Sequence, residues 1–188
     1  MSHLLVLVVL SFGMIEFGMI KMSQVHGNRV VIVSRKDDGK TIPNCDGLIT
    51  SDQNLTLSVH SADCLPIKIS DKINRVHGVI HAGWRGLKKE IIKKAVFAIG
   101  KKFNVLPRDL TVEIGPHICV KHYEIKNDVA RFFNEVIIRN DKKYLDLGLV
   151  AKNQLLALGV SAENIFIDKR CTFEDRTLES YRRDRSNV

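Results

Sequence analysis

The chain has 188 residues, which at roughly 100–200 residues per domain predicts a single domain over residues 1–188. Hydrophobic residues make up 45% and charged residues 27%, a globular balance that excludes a disordered, collagen-like or coiled-coil chain. Lys and Arg total 29 against 21 Asp and Glu, so the charge of +8 favours anionic partners, while four cysteines are too few for a disulfide scaffold and point to a reducing, cytoplasmic setting.

Residues 4–10 read LLVLVVL, and the apolar character continues to Ile20 with Glu16 as its only charge. The run is about 17 residues, at the lower edge of what spans a membrane. No Lys or Arg precedes it and no small-residue cleavage site follows. It is therefore expected to form a buried strand or two of a folded, soluble protein. The tetrapeptide FGMI at 12–15 recurs at 17–20, too short to build a repeat array.

Residues 29–33 (RVVIV) are short and β-branched and predict a strand; residues 36–44, with Gly39 and Pro43, predict a loop. Residues 55–59 (LTLSV) and 65–69 (LPIKI) read as strands flanking a turn, and residues 75–81 (RVHGVIH) as another. A helix is predicted over 87–103, because Ile91, Ile92, Ala95, Val96, Ile99 and Phe103 recur at helical spacing. Three Lys pairs flank that stripe and read as a solvated face, since no nucleic-acid motif accompanies them. Residues 110–114 (LTVEI) predict a strand, 128–138 a helix, and 146–159 a helix capped by Asp146 and closed at Gly159. Residues 165–168 are the last predicted strand, and the basic stretch 181–185 reads as an anion clamp or a frayed tail. No linker divides the chain. The pattern implies an α/β (α+β) fold, a layered sandwich of mixed β-sheet with packed helices.

Three segments carry polar, metal-capable residues at strand ends: QVHG at 24–27, ADCLP at 62–66 and HAGWRG at 81–86. Loops held by a rigid scaffold are where catalytic groups gather. Two imidazoles and a thiolate, from His26, Cys64 and His81, would make a zinc set with one position left for water. Copper accepts the same ligand types. Taken one by one, these residues read equally as core or surface positions. In the third segment, Gly83 and Gly86 let the backbone approach a ligand, Arg85 offers a planar donor fork for phosphate, and Trp84 can stack on a base or fill the core.

Those segments in that order, with Ile114-Gly115-Pro116, Tyr123-Glu124-Ile125 and SYRRD at 180–184, resemble the YfiH family, also called the laccase-domain or polyphenol oxidoreductase family. The resemblance covers about residues 22–185. It implies a layered α/β sandwich and a metal held by His26, Cys64 and His81. It also implies zinc-dependent phosphorolysis of adenosine, inosine, guanosine and methylthioadenosine, together with adenosine deamination. The partners implied are purine nucleosides and phosphate, with neither nucleic acid nor membrane. Cys64, Asp63 and Arg85 are the expected catalytic residues: Arg85 for phosphate, and Asp63 as a general acid/base or as the partner of a ligand histidine.

Alternatives are copper-dependent polyphenol oxidation, a metal-free Cys–His hydrolase with Cys64 as nucleophile, and a non-catalytic remnant of the family. Seven histidines are few for a multicopper site. The chain departs from the family pattern in an apolar segment over 1–22 where relatives carry a longer region, in His117-Ile118-Cys119 where Cys-Ile-Gly is usual, and in a shortened C-terminus.

Overall fold

Two seven-residue strands pair along their whole length and set the frame for the rest: Leu65–Asp71 and Val76–Ala82 run antiparallel, with Leu65 opposite Ala82. The computed structural model describes the backbone at 6–7 and residues 18–71, 73 and 75–184. In chain order the strands are β1 (Val6–Leu7), β2 (Met19–Met22), β3 (Val30–Ile32), β4 (Thr41–Ile42), β5 (Gly47–Thr50), β6 (Thr56–Leu57) and β7 (Val59–His60). They continue as β8 (Leu65–Asp71), β9 (Val76–Ala82), β10 (Thr111–Ile114), β11 (Glu124–Ile125), β12 (Val136–Arg139), β13 (Lys142–Leu145) and β14 (Ile165–Ile167). The helices are α1 (Trp84–Lys88), α2 (Ile91–Phe103), α3 (Asn127–Ala130), α4 (Leu147–Ala157) and α5 (Tyr181–Asp184).

The central sheet has six strands in the order β14-β10-β8-β9-β5-β3, mixed in direction, with parallel pairs at both margins. Alternation along its strands separates two cores. Ile49, Ile67, Ile69, Ile80 and Val112 point to the side covered by α2 and α4, where they meet Ile91, Ile92, Ala95, Val96, Ile99, Val150 and Leu155. Leu48 and Val79 point the other way, against Ile20, Leu57 and Val59 of the small sheets and Leu55 just before β6. The result is the expected layered α/β sandwich.

The predicted strands at 29–33, 65–69, 75–81, 110–114 and 165–168 appear as β3, β8, β9, β10 and β14. Residues 55–59 are divided between β6 and β7, and the loop over 36–44 contains β4, which pairs with β2. The helix predicted over 87–103 starts earlier, at Trp84, and breaks where Glu90 takes left-handed angles (φ 59, ψ 42), leaving α1 and α2 as separate helices. Asp146 caps α4 by accepting from the Leu149 amide at 2.9 Å, and Gly159 follows that helix at φ +90.

The predicted helix over 128–138 is incorrect. It is one short turn, α3, followed by the β12–β13 hairpin. Val136, Ile137 and Ile138 are β-branched, and Asn140 and Asp141 both take positive φ (47 and 60), which a two-residue hairpin turn requires. An apolar run of this length fits either period, and the turn residues decide it.

Residues 181–184 are not a frayed tail: they form the short helix α5. The Arg183 guanidinium donates to the carbonyls of Thr172 and Leu178, both at 2.7 Å, and so folds the end of the chain onto the preceding loop. Arg185 and most of the apolar start lie outside the described residues. No helix among the described residues is long and apolar enough to cross a membrane.

The centre of the sheet leaves no room at Gly78. A β-carbon there would sit 2.7 Å from the Leu48 carbonyl oxygen and 3.0 Å from Ile49 Cγ1. Gly78→Ala is expected to destabilise the fold by about 1–3 kcal/mol through overpacking. The check is a lower urea midpoint with an unchanged slope.

Candidate metal centre and its cleft

Strand register brings the three sequence-distant segments together. Because Leu65 pairs with Ala82, Cys64 just before β8 lies beside Gly83 just after β9. Because Gly47 pairs antiparallel with Ile80, Asp46 falls beside His81, whose amide donates to the Asp46 carbonyl at 2.8 Å. Because β3 and β5 run parallel, the QVHG loop before β3 arrives next to Asp46 before β5. The ligand atoms of His26, Cys64 and His81 lie within 4.8 Å of one another at this end of the sheet.

Asp46 organises the group. It is fully buried, and it accepts the backbone amides of Val25 (3.2 Å), His26 (2.9 Å) and Gly27 (2.8 Å) as well as His81 Nδ1 (3.0 Å). Burial alone would raise its pKa, but the hydrogen bonds from His81, Gly27 and Val25 outweigh that and hold the carboxyl below its ordinary value. With His81 Nδ1 given to Asp46, Nε2 is the nitrogen left for a metal, the usual carboxylate–histidine arrangement of metal sites. His26 takes a left-handed backbone (φ 55), a conformation costly for a side-chain-bearing residue and held here by the Asp46 hydrogen bonds. Gln24 fixes the same loop from its other end, exchanging hydrogen bonds with the backbone of His60 at 2.8 and 2.9 Å.

The donor chemistry fits zinc. Burial, then the neighbouring His81, holds the His26 imidazole below its ordinary pKa, which favours the neutral, ligating form. Burial, then Asp63 and Asp46, pushes the Cys64 thiol up to about 12, so a cation is needed to draw out the thiolate. Gly83 makes space for that sulfur, since a β-carbon at Gly83 would lie 2.7 Å from Cys64 Sγ.

Beside the ligands lies a cavity of about 470 Å³, walled by Trp84, Arg85, Tyr123, Tyr181 and Arg182. The Arg85 guanidinium stacks over Trp84 at 4.5 Å from the ring centre. Arg85 sits in the five-residue helix α1. Asp63 is buried, and its two oxygens accept from Thr172 Oγ1 at 2.6 Å and from the Arg182 amide at 2.7 Å. It therefore ties the C-terminal segment to the cleft, and the carboxylate that meets a ligand histidine is Asp46.

Asp46 escaped the sequence reading, as did Tyr123, Tyr181 and Arg182 as cleft residues. Asp46 had a usable signal: it stands immediately before an apolar run, Gly47–Thr50, just as Cys64 stands before β8.

The family model described as multi-copper polyphenol oxidoreductase laccase matches residues 7–188, and the chain belongs to that family. A protein of Campylobacter jejuni named purine nucleoside phosphorylase is 35% identical over 170 residues, covering 88% of this chain and 71% of the relative. The purine nucleoside phosphorylase YlmD of Bacillus subtilis is 30% identical over 182 residues, covering 88% of this chain and 66% of the relative. The crystal structure of YlmD from Geobacillus stearothermophilus superposes with a TM-score of 0.83 at 30% identity, over 89% of this chain and 68% of that one. The hypothetical protein YfiH of Bacillus licheniformis gives 0.85 at 26% identity, over 89% and 69%. The chain thus spans about two thirds of the length of these relatives.

Asp46→Asn keeps the shape but sets an amide against donors that the carboxylate accepts. It is expected to cost about 2–4 kcal/mol of stability and to weaken metal binding by about 10- to 100-fold. Denaturant titration and competition with a metal chelator measure the two effects separately.

Proposed function

We propose that the chain is a zinc-dependent purine nucleoside phosphorylase of broad specificity that also deaminates adenosine. The observation that carries this reading is the convergence, in one cavity of about 470 Å³, of the His26/Cys64/His81 donor set with the cations Arg85 and Arg182 and the rings of Trp84, Tyr123 and Tyr181. That volume is of the size that takes a small ligand. The rings offer faces for a purine, the guanidinium groups a place for phosphate, and the relatives' names supply the substrate class.

A zinc ion at the three donors supplies a Lewis acid and a water acidic enough to act near neutral pH. The protein's own residues do the positioning. Asp46 fixes the His81 ring and the His26 loop, so the donors are set before substrate arrives. Arg85 holds the phosphate dianion, whose oxygen attacks the ribose carbon as the bond to the purine breaks, giving ribose 1-phosphate and the free base. Asp63 acts through the backbone it holds, keeping the Arg182 segment against the cleft.

The Cys64 thiol, its pKa pushed up to about 12 by burial of the sulfur and then by Asp63 and Asp46, weighs against a metal-free hydrolase, because the thiolate is the nucleophilic form. The family's descriptive name favours one second reading, copper-dependent polyphenol oxidation at the same donors. Metal analysis and product analysis on one tag-free preparation decide between them.

Cys64→Ser is expected to lower zinc content by about one equivalent per chain, since a three-ligand site loses its only thiolate. Unchanged zinc would remove His26, Cys64 and His81 from the assignment.

Arg85→Met keeps bulk and removes charge. Losing a charge-assisted bond of roughly 1.5–3 kcal/mol should weaken phosphate use about 10- to 100-fold, with adenosine deamination affected less. Both rates are measured on one folded preparation, with circular dichroism as the control. Equal loss of both would place Arg85 outside phosphate binding.

A further inference from the structure

A second group of metal-capable side chains, Cys119, His122 and Glu174, lies outside the cleft lining. Two four-residue turns stand side by side there, Cys-Val-Lys-His at 119–122 and Cys-Thr-Phe-Glu at 171–174. Each is closed by a hydrogen bond from its fourth amide to its first carbonyl, His122 to Cys119 at 3.0 Å and Glu174 to Cys171 at 3.1 Å. A bridge between His117 and Cys171 and the bond from the Thr172 amide to the His117 carbonyl hold the turns together. The Cys119 amide points at the sulfur of Cys171, 3.1 Å away.

The Cys119–His122 spacing is that of a metal turn, in which the first and fourth residues of a tight turn face one ion, and the second turn adds Glu174. The donors are already near ligand positions. The ligand atoms of Cys119, His122 and Glu174 lie within 4.8 Å of one another. His122 Nε2 is 3.0 Å and Cys119 Sγ 4.0 Å from Glu174 Oε1. Tetrahedral zinc bonds would set these separations at about 3.4 Å and about 3.6 Å. Closing on an ion therefore needs only small side-chain movements. The His122 ring is held flat against Phe173, with centroids 4.3 Å apart and planes at 17°.

We propose that Cys119, His122 and Glu174 bind a second divalent metal ion of the zinc class, separate from the cleft. Its effect is structural. It staples the 119–122 turn to the 171–174 turn, and the second turn carries Thr172, whose hydroxyl bonds Asp63 and whose carbonyl receives Arg183. The ion thus steadies the segment that walls the cleft. The proposal does not depend on the reaction at the cleft.

The test uses the full-length chain with the cleft site disabled by Cys64→Ser, prepared metal-free under reductant and titrated with Co²⁺ alone. Binding of about one equivalent, with a thiolate-to-cobalt charge-transfer band and a rise in melting temperature, is the result expected. The band must disappear in Cys64→Ser/Cys119→Ser. In Cys64→Ser/Glu174→Gln the affinity must fall about tenfold or more while the band persists at saturating cobalt. Absence of a charge-transfer band in Cys64→Ser would overturn the proposal. So would a band that survives loss of Cys119, or mass spectrometry that finds Cys119 and Cys171 joined as a disulfide under the same reductant. Because the cleft site is disabled throughout, failure here leaves the phosphorylase reading intact, and failure of that reading leaves this one intact.

Discussion

The Asp46 carboxylate is the contact on which the cleft depends. A buried carboxylate with no partners would protonate instead of bearing charge. This one has three backbone amides and an imidazole around it, so its charge persists, and each bond it makes restrains a different part of the site. The amides hold the 25–27 loop, including the left-handed angles of His26, and the imidazole fixes which nitrogen of His81 is left for a metal. One side chain thereby sets two of the three donors relative to each other, and the sheet sets the third.

Sheet register explains why residues so far apart in sequence meet. β5, β8 and β9 are neighbours, and the residues just outside their paired ends are Asp46, Cys64 and Gly83. A one-residue slip in either antiparallel pair would turn His81 to the opposite face and take it from Asp46. The alternation that drives Ile80 into the helix-covered core and Val79 into the other keeps that slip from happening. Packing of the two cores thus determines where the donors of the candidate metal centre are placed.

Much of this was legible in the sequence, for identifiable reasons. β8 and β9 are β-branched and bounded by turns, and α4 carries an Asp cap and a closing Gly, so local chemistry specified them. His26, Cys64 and His81 stood out because polar donors at the ends of apolar strands are unusual. Residues 128–138 were misread because an apolar run looks the same at both periods, and the decisive Asn140-Asp141 turn lies beyond it. Asp46 was hidden because its importance is tertiary: its place before a short apolar run hints at a strand end, but its partners are about 20 and 35 residues away.

The C-terminal segment shows how a basic stretch can be read too literally. Arg183 gives its guanidinium to backbone carbonyls and to Asp184, and Asp63 receives the amide of Arg182, so the protein itself holds the segment in place with Arg182 at the cleft. What remains toward solvent on the cleft side is Tyr181, exposed, and the edge of Arg182, beside the Tyr123 ring. The cleft therefore has one wall built on the central sheet and another built from the end of the chain. The second wall stands only while Asp63, Thr172 and Arg183 hold it. Asp63 precedes Cys64 directly and itself takes a positive φ of 89, so the strained turn that presents the thiol is fixed by the same bonds that close the wall. The placement of the Cys64 thiol and of the C-terminal wall is thus coupled through one buried aspartate. A change in the 181–184 segment would reach the candidate metal centre by that route without touching any of its donors.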